Sequence, residues 1–486
     1  MLVKKLLTKY NNLPVQVRAS LWFLICSFLQ KGISVITVPI FTRLLTTAEY
    51  GQFNVFNSWL GIVGIFVSLN LSYGVYQQGL IKFDKERAVF SSSLQGLTLL
   101  MVLCWTVVYG LFYNFWNHLF SLTTVQMLAM LILVWTTAVF SFWSTEQRVY
   151  YKYRTLVAIT LAVSLAKPLL GIFLVSHATD KVTARILGLV LVELIAYTGC
   201  FIVQMKAGKT FYSAKFWKYA LCYNLPLIPH YLSQVVLNNT DRIMIENMVG
   251  PSEAGIYSLA YSIALIMTLF NISLRSTMGP WMYQKIKDKK IKDITPIGYL
   301  CIGIVVVVNL LLIALAPEAV RLFAPPAYYE AIYCIPPVAM GVLFMFAYDL
   351  FAGFAFYYEK TRAVMLTSVG GAVLNIVLNY FGIKIFGYVA AAYTTLICYM
   401  CYDVCHYTLM SKICNLYLDG VKPYTTKMLI LISICFISCG FIMLFTYDYP
   451  LLRYGIIVIA TVVMLLKRNK IKAVVMTLKN VKQRRI

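Results

Sequence analysis

Apolar runs of roughly 20 residues recur along nearly the whole chain, separated by short polar connections. A run of that length crosses the hydrocarbon core of a bilayer as one α-helix. The runs are continuously apolar rather than alternating, and backbone groups in lipid must be paired internally, so the pattern predicts helices and excludes a barrel. Fourteen spans are predicted, at approximately 17–40, 52–72, 92–115, 123–145, 154–175, 185–205, 217–239, 255–276, 296–316, 333–357, 363–384, 387–410, 428–446 and 449–466. The fold class is an all-α polytopic membrane protein.

One segment breaks the pattern. Leu225 to Ile245 reads "LPLIPHYLSQVVLNNTDRIMI". Pro226 and Pro229 remove backbone donors and predict a kink near one end of the span. Irregular backbone survives at membrane depth only against protein or a wet cavity. His230, Ser233, Gln234, Asn238 and Asp241 follow at near-helical spacing. This reads as a cavity-lining helix, with Asp241 and Arg242 marking the outer mouth.

Composition agrees with the span pattern: 60% of residues are hydrophobic and 12% are charged, against about 25% charged in soluble domains. The net charge of +24 does not indicate nucleic acid, because no folded domain presents a basic patch. The basic residues instead cluster between apolar runs. A cytoplasmic N-terminus places 32 of the 42 lysines and arginines on the inner side, which the positive-inside rule favours. Both termini are therefore expected in the cytoplasm. Lys4, Lys5 and Lys9 precede the first run with no small-residue cleavage site, as for an uncleaved first helix. Cysteines such as Cys26, Cys104, Cys200 and Cys301 lie within apolar runs and read as small buried hydrophobes. The basic stretch "YQKIKDKKIKD" (283–293) reads as a solvated loop or a short headgroup helix.

Two junctions resemble each other. "FTRLLTTAEYGQFNVFNSWLGI" (41–62) and "DRIMIENMVGPSEAGIYSLAYSIALI" (241–266) both carry an arginine, then Glu-x-Gly-x-aromatic at a helix start. Glu49, Gly51 and Phe53 match Glu253, Gly255 and Tyr257, and Arg43 matches Arg242. The two sites stand six spans apart, which suggests parallel six-helix halves with a substrate site between them. The halves are 1–205 and 206–415, followed by two extra spans in 416–470 and a basic tail, 471–486.

Ionisable groups inside spans are costly and need partners or a wet cavity. Lys31 lies well inside the first run. Lys167 and Glu193 flank a hairpin centred on Asp180, thirteen residues away on either side, so they share a depth on adjacent antiparallel helices and are expected to pair. Asp349 and Asp403 are further candidates for ion coupling or pairing, and Arg275 closes the eighth predicted span. Recognised catalytic or cofactor chemistry is lacking in the motifs. "KAGKT" (206–210) has Val203 where a phosphate-binding loop requires glycine. The histidines His118, His177, His230 and His406 show no metal-ligand spacing.

The segment 225–245 resembles the seventh-span signature of bacterial polysaccharide repeat-unit flippases, the Wzx type of the MOP superfamily. "KGISVITVPIFTRLLTTAEYG" (31–51), "STMGPWMYQKIK" (276–287), "YYEAIYCIPPVAMGVLF" (328–344) and "FGYVAAAYTTLICY" (386–399) resemble further family segments, over about the first 410 residues. The resemblance implies two six-helix lobes around a central cavity, working by alternating access. The implied substrate is an undecaprenyl-pyrophosphate-linked oligosaccharide, moved from the inner to the outer leaflet of the cytoplasmic membrane. Polysaccharide polymerase and glycosyltransferases of the same pathway are implied partners, with no cofactor. It points to Lys31, Arg275 and His230 for the headgroup and cavity, to which the polar spacing of 225–245 adds Asn238, and to Arg43, Asp241 and Arg242 for gating or lobe packing, to which the repeat adds Glu49 and Glu253. Lys167, Asp349 and Asp403 are not family positions, and Glu193 is the expected partner of Lys167. Lipid II flippases and multidrug exporters share the fold and are the rival readings. A membrane polysaccharide polymerase or ligase would need a long outer catalytic loop, and none is present in the sequence.

Overall fold

The computed structural model describes residues 14–466; the N-terminal lysines 4, 5 and 9 and the tail 471–486 lie outside the described residues. In chain order the helices are α1 (Val15–Leu44), α2 (Thr47–Ser68), α3 (Val75–Lys82), α4 (Arg87–Leu111), α5 (Tyr113–Phe120), α6 (Thr124–Val149), α7 (Tyr153–His177), α8 (Lys181–Gly208), α9 (Ala214–Asn224) and α10 (Ile228–Met248). They continue with α11 (Pro251–Ala264), α12 (Thr268–Lys287), α13 (Ile294–Ala314), α14 (Ala316–Phe323), α15 (Ala331–Tyr357), α16 (Thr361–Phe386), α17 (Ala390–Tyr417), α18 (Thr426–Phe445) and α19 (Pro450–Leu466). Ten helical segments among the described residues are long and apolar enough to cross a membrane. The four other predicted spans coincide with α2, the α9–α10 pair, α17 and α19. No strand occurs among the described residues.

Local sequence explains the helix ends. Thr46 and Glu49 form a capping box that starts α2, and Thr123 with Gln126 does the same for α6. Each box satisfies two otherwise orphaned backbone donors. Asp180 accepts from the Thr183 N–H and starts α8. The break predicted by Pro226 and Pro229 is present as a 3₁₀ turn, Leu225–Leu227, between α9 and α10.

Contacts divide the chain into Met1–Gly255 and Ile256–Ile486. In the first unit, α7 and α8 form a hairpin, α8 also packs on α6 and α4, and α2 packs on α10. Tyr76, Phe90, Phe142 and Phe216 build a fully buried aromatic core around α3, α4, α6 and α9. In the second unit, α15 is the central buried helix, packed against α17, α13 and α12.

The two extra spans that follow the repeat are tied into the second unit. Arg453 of α19 is 2% exposed and pairs with Glu318 of α14. The Tyr447 hydroxyl donates to the Ile313 carbonyl at 2.7 Å. The basic stretch 283–293 is mostly exposed, but it is anchored: Lys285 is buried and paired with Asp293, and Ile291 is buried.

Candidate functional site

Two helices of the first unit that are long enough to span but less apolar than the others, α2 and α10, pack against each other. They run antiparallel, since Thr47 hydrogen-bonds Ser252 just beyond α10 (2.6 Å between hydroxyls) while Gly61 meets Val235 and Asn239. Their polarity is explained by what they face. At the Thr47 end the chains touch: a Cβ on Gly51 would sit 1.9 Å from the Pro251 carbonyl oxygen, and one on Gly255 would sit 2.0 Å from that of Thr47. Only glycine permits so close a backbone approach.

Toward the other end a cavity of about 630 Å³ opens. Its lining combines Gly61, Gly64, Ser68, Asn70, Ser72 and Tyr73 with His230, Tyr231 and Gln234 and with Thr137 and Ser141 of α6; the remaining side chains, such as Leu60, Ile65 and Leu133, are apolar. The lining holds no lysine, arginine, aspartate or glutamate. Tyr73 and Tyr231 meet edge to face with ring centroids 5.7 Å apart. His230 Nδ1 is buried without a hydrogen-bond partner among the described residues.

The backbone beside the cavity is irregular. Leu69 and Asn70 both have φ of 49°, and Gly74 has 67°. A left-handed leucine is sterically costly. Asn224, fully buried, holds this bend by donating to the Leu69 and Asn70 carbonyls, each at 2.8 Å. Non-helical backbone at depth is thus satisfied by a side chain and lines a cavity.

Of the residues predicted for the headgroup and cavity, the structure brings His230 to the cavity wall. Lys31 is exposed on α1 and has no polar partner among the described residues. Asn238 donates to the Gln234 carbonyl one turn away and is not part of the cavity lining. Arg43 and Arg242 behave alike, each reaching the carbonyl four residues back: Pro39 at 2.7 Å and Asn238 at 3.3 Å. Asp241 is 1% exposed. Glu49 serves the capping box, and Glu253 sits in the first turn of α11.

Lys167 Nζ lies 2.5 Å from Glu193, so the pair expected from equal depth is formed. Glu193 also accepts from the Thr136 and Thr137 hydroxyls at 2.5 and 3.3 Å. Thr137 lines the cavity, so this pair stands directly behind its wall. In the second unit, Arg275 pairs with Asp349 at 2.7 Å. Arg275 does not close its helix, because α12 continues to Lys287. Asp403 has one buried carboxylate oxygen without a partner among the described residues.

Residues 17–286 match the model of a family described as polysaccharide biosynthesis protein. That is more than half of the chain. The chain belongs to this polysaccharide biosynthesis protein family. Residues 226–381 also match the MatE family model. Two proteins of Haemophilus influenzae are each 21% identical: an uncharacterized membrane protein, over 73% of this chain and 87% of that one, and Lsg locus putative protein 1, over 74% and 88%. The fold is shared with the inward closed conformation of the lipid II flippase MurJ (TM-score 0.65, 13% identity, 87% of this chain and 98% of that one). It is shared also with an inward-facing multidrug resistance MATE transporter of the MOP superfamily (TM-score 0.60, 12% identity, 79% and 95%). This member of the polysaccharide biosynthesis family thus shares its fold with a lipid II flippase and a multidrug transporter.

Sequence reasoning missed several polar features of this family member. Arg185 lies over Phe41 and Phe53, 3.8 and 3.5 Å from their ring centroids. Gln204 joins Gln95 (2.6 Å), Glu146 (2.5 Å) and Tyr76 (3.3 Å) in a buried network. Glutamines inside apolar runs were the available signal for that network. Arg185 carried a signal as a charge within a span, but its aromatic partners come from α1 and α2, and no local spacing connects them.

Proposed function

We propose that this protein moves undecaprenyl-pyrophosphate-linked oligosaccharide repeat units from the inner to the outer leaflet of the bacterial cytoplasmic membrane. The reading includes both termini in the cytoplasm, two six-span halves, and service to surface-polysaccharide assembly alongside glycosyltransferases and a polymerase. The observation that carries it is the cavity between α2 and α10, whose lining has no lysine, arginine, aspartate or glutamate and mixes hydroxyl, amide and tyrosine side chains with apolar ones. Such a mixed chamber suits the head of an amphiphile whose tail stays in lipid. With both termini in the cytoplasm, as the charge bias favours, the chamber end faces the cytoplasm, where lipid-linked sugars would be loaded. The family description, polysaccharide biosynthesis, supports this reading.

A multidrug exporter is the second reading, by likeness of fold to MATE transporters. The lining offers an organic cation no carboxylate, only the Tyr73 and Tyr231 rings. The test is deletion in the producing cell. Lipid-linked repeat units should accumulate on the inner leaflet and surface polymer should be lost; normal outer-face delivery would refute the proposal.

A further inference from the structure

We infer that the cavity between α2 and α10 is a glycan subsite which holds an uncharged pyranose ring, and that the pyrophosphate is bound outside it. This rests on the flippase reading and sharpens it by dividing the head into two parts with different partners.

The argument starts from charge. A pyrophosphate carries concentrated negative charge and is recognised by arginine, lysine or helix N-termini. The cavity lining holds neither lysine nor arginine. Lys167, linked to the lining residue Thr137 through Glu193, is already paired with Glu193 at 2.5 Å. An anion placed here would lose its hydration without compensation. An uncharged ligand has no such cost.

The remaining chemistry fits a sugar. A pyranose has an equatorial rim of hydroxyls and two faces rich in C–H groups. The faces complement aromatic rings, whose faces are electron-rich. Tyr73, 64% exposed, and Tyr231 provide such rings at the wall. The rim needs neutral groups that both donate and accept, as amides and hydroxyls do. Asn70, Gln234 and Ser141 are of that kind. Leu60, Ile65, Leu133, Val134, Ala138 and Val235 complete the lining and offer the C–H faces of the ring further apolar contact. The volume of about 630 Å³ lies within the range of small-ligand sites, about 300–1,000 Å³.

The test compares two probes on the purified full-length protein in lipid nanodiscs. One is undecaprenyl pyrophosphate without sugar. The other is the undecaprenyl-pyrophosphate glycolipid extracted from polymerase-deficient cells of the producing strain. The wild type should bind the glycolipid more tightly. Tyr73→Leu and Tyr231→Leu should each weaken glycolipid binding by about tenfold and leave the sugar-free lipid unaffected. Tyr73→Phe and Tyr231→Phe keep the ring and should stay near wild type, which controls for folding. Equal wild-type affinity for both probes, or equal loss of both in the leucine variants, would overturn the glycan subsite while leaving the flippase reading intact. Wild-type protein that binds neither probe would overturn both.

Discussion

Gly51 and Gly255 stand at matching positions of the sequence repeat, and the structure packs them against each other. The contact is reciprocal. A side chain on Gly51 would meet the Pro251 carbonyl, and one on Gly255 would meet the Thr47 carbonyl, each four residues before the other glycine. A repeat detected as two similar helix starts is therefore also a pair of surfaces that fit together.

Overpacking a close backbone crossing costs about 1–3 kcal/mol. Gly51→Ala and Gly255→Ala should each loosen this contact and lower transport several-fold while the protein still inserts. The Thr47 and Ser252 hydroxyls are 2.6 Å apart, so Thr47→Cys combined with Ser252→Cys should cross-link under oxidation. Alternating access requires this end to open. Cross-linking should stop transport and reductant should restore it; unchanged transport in the fully cross-linked protein would argue against opening here.

Lys167 and Glu193 form a largely buried pair, with side chains 28% and 7% exposed. Removing one partner strands the other and typically costs about 3–5 kcal/mol, whereas replacing both with apolar groups is far milder. Lys167→Met alone should sharply reduce the yield of monodisperse protein in size-exclusion profiles. Lys167→Met with Glu193→Leu should recover much of it. If the double variant folds but does not transport, the pair acts in coupling; if it transports, its role is structural.

Arg275 reaches Asp349 across 74 residues of sequence at 2.7 Å. Arg275→Ala should impair export without blocking insertion, because Arg275 is 57% exposed and little folding energy depends on it. Asp349→Asn should weaken export less, since the amide still accepts a hydrogen bond. Full export by Arg275→Ala, measured as surface polymer, would remove Arg275 from the mechanism.

Arg453 anchors the last two helices. Its pairing with Glu318 is supported by the Tyr454 hydroxyl, 2.6 Å from the same carboxylate oxygen. Arg453→Ala should lower thermal stability in detergent by several degrees, and removal of residues 416–486 should lower it further. An unchanged melting profile on truncation would make these spans an appendage.

Much of this architecture is written in the chain. Span positions follow from hydropathy, the α9–α10 break follows from Pro226 and Pro229, and the Lys167–Glu193 pair follows from equal distance to one hairpin. These inferences need only local pattern or a single turn. The cavity was half legible: polarity along 225–245 identified α10, but the opposite wall comes from Ser68, Asn70 and Tyr73, where α2 ends in a strained bend. That bend depends on Asn224, 154 residues away from Asn70, and no periodicity encodes such a contact. The partners of Arg185, Arg275 and Arg453 were unreadable for the same reason. A charge within a span announces that it needs a partner, but only tertiary packing selects it.

The central claim is that the protein carries a lipid-linked glycan across the bilayer. It is tested most directly by reconstituting the purified full-length chain into liposomes with the glycolipid from polymerase-deficient cells. Leaflet transfer is read by access of an externally added lectin or glycosidase to the sugar. The account predicts protein-dependent exposure of glycolipid from the inner leaflet, reduced in the Tyr73→Leu and Tyr231→Leu variants. Exposure no faster than in protein-free liposomes, with the protein shown to be folded and correctly inserted, would contradict it.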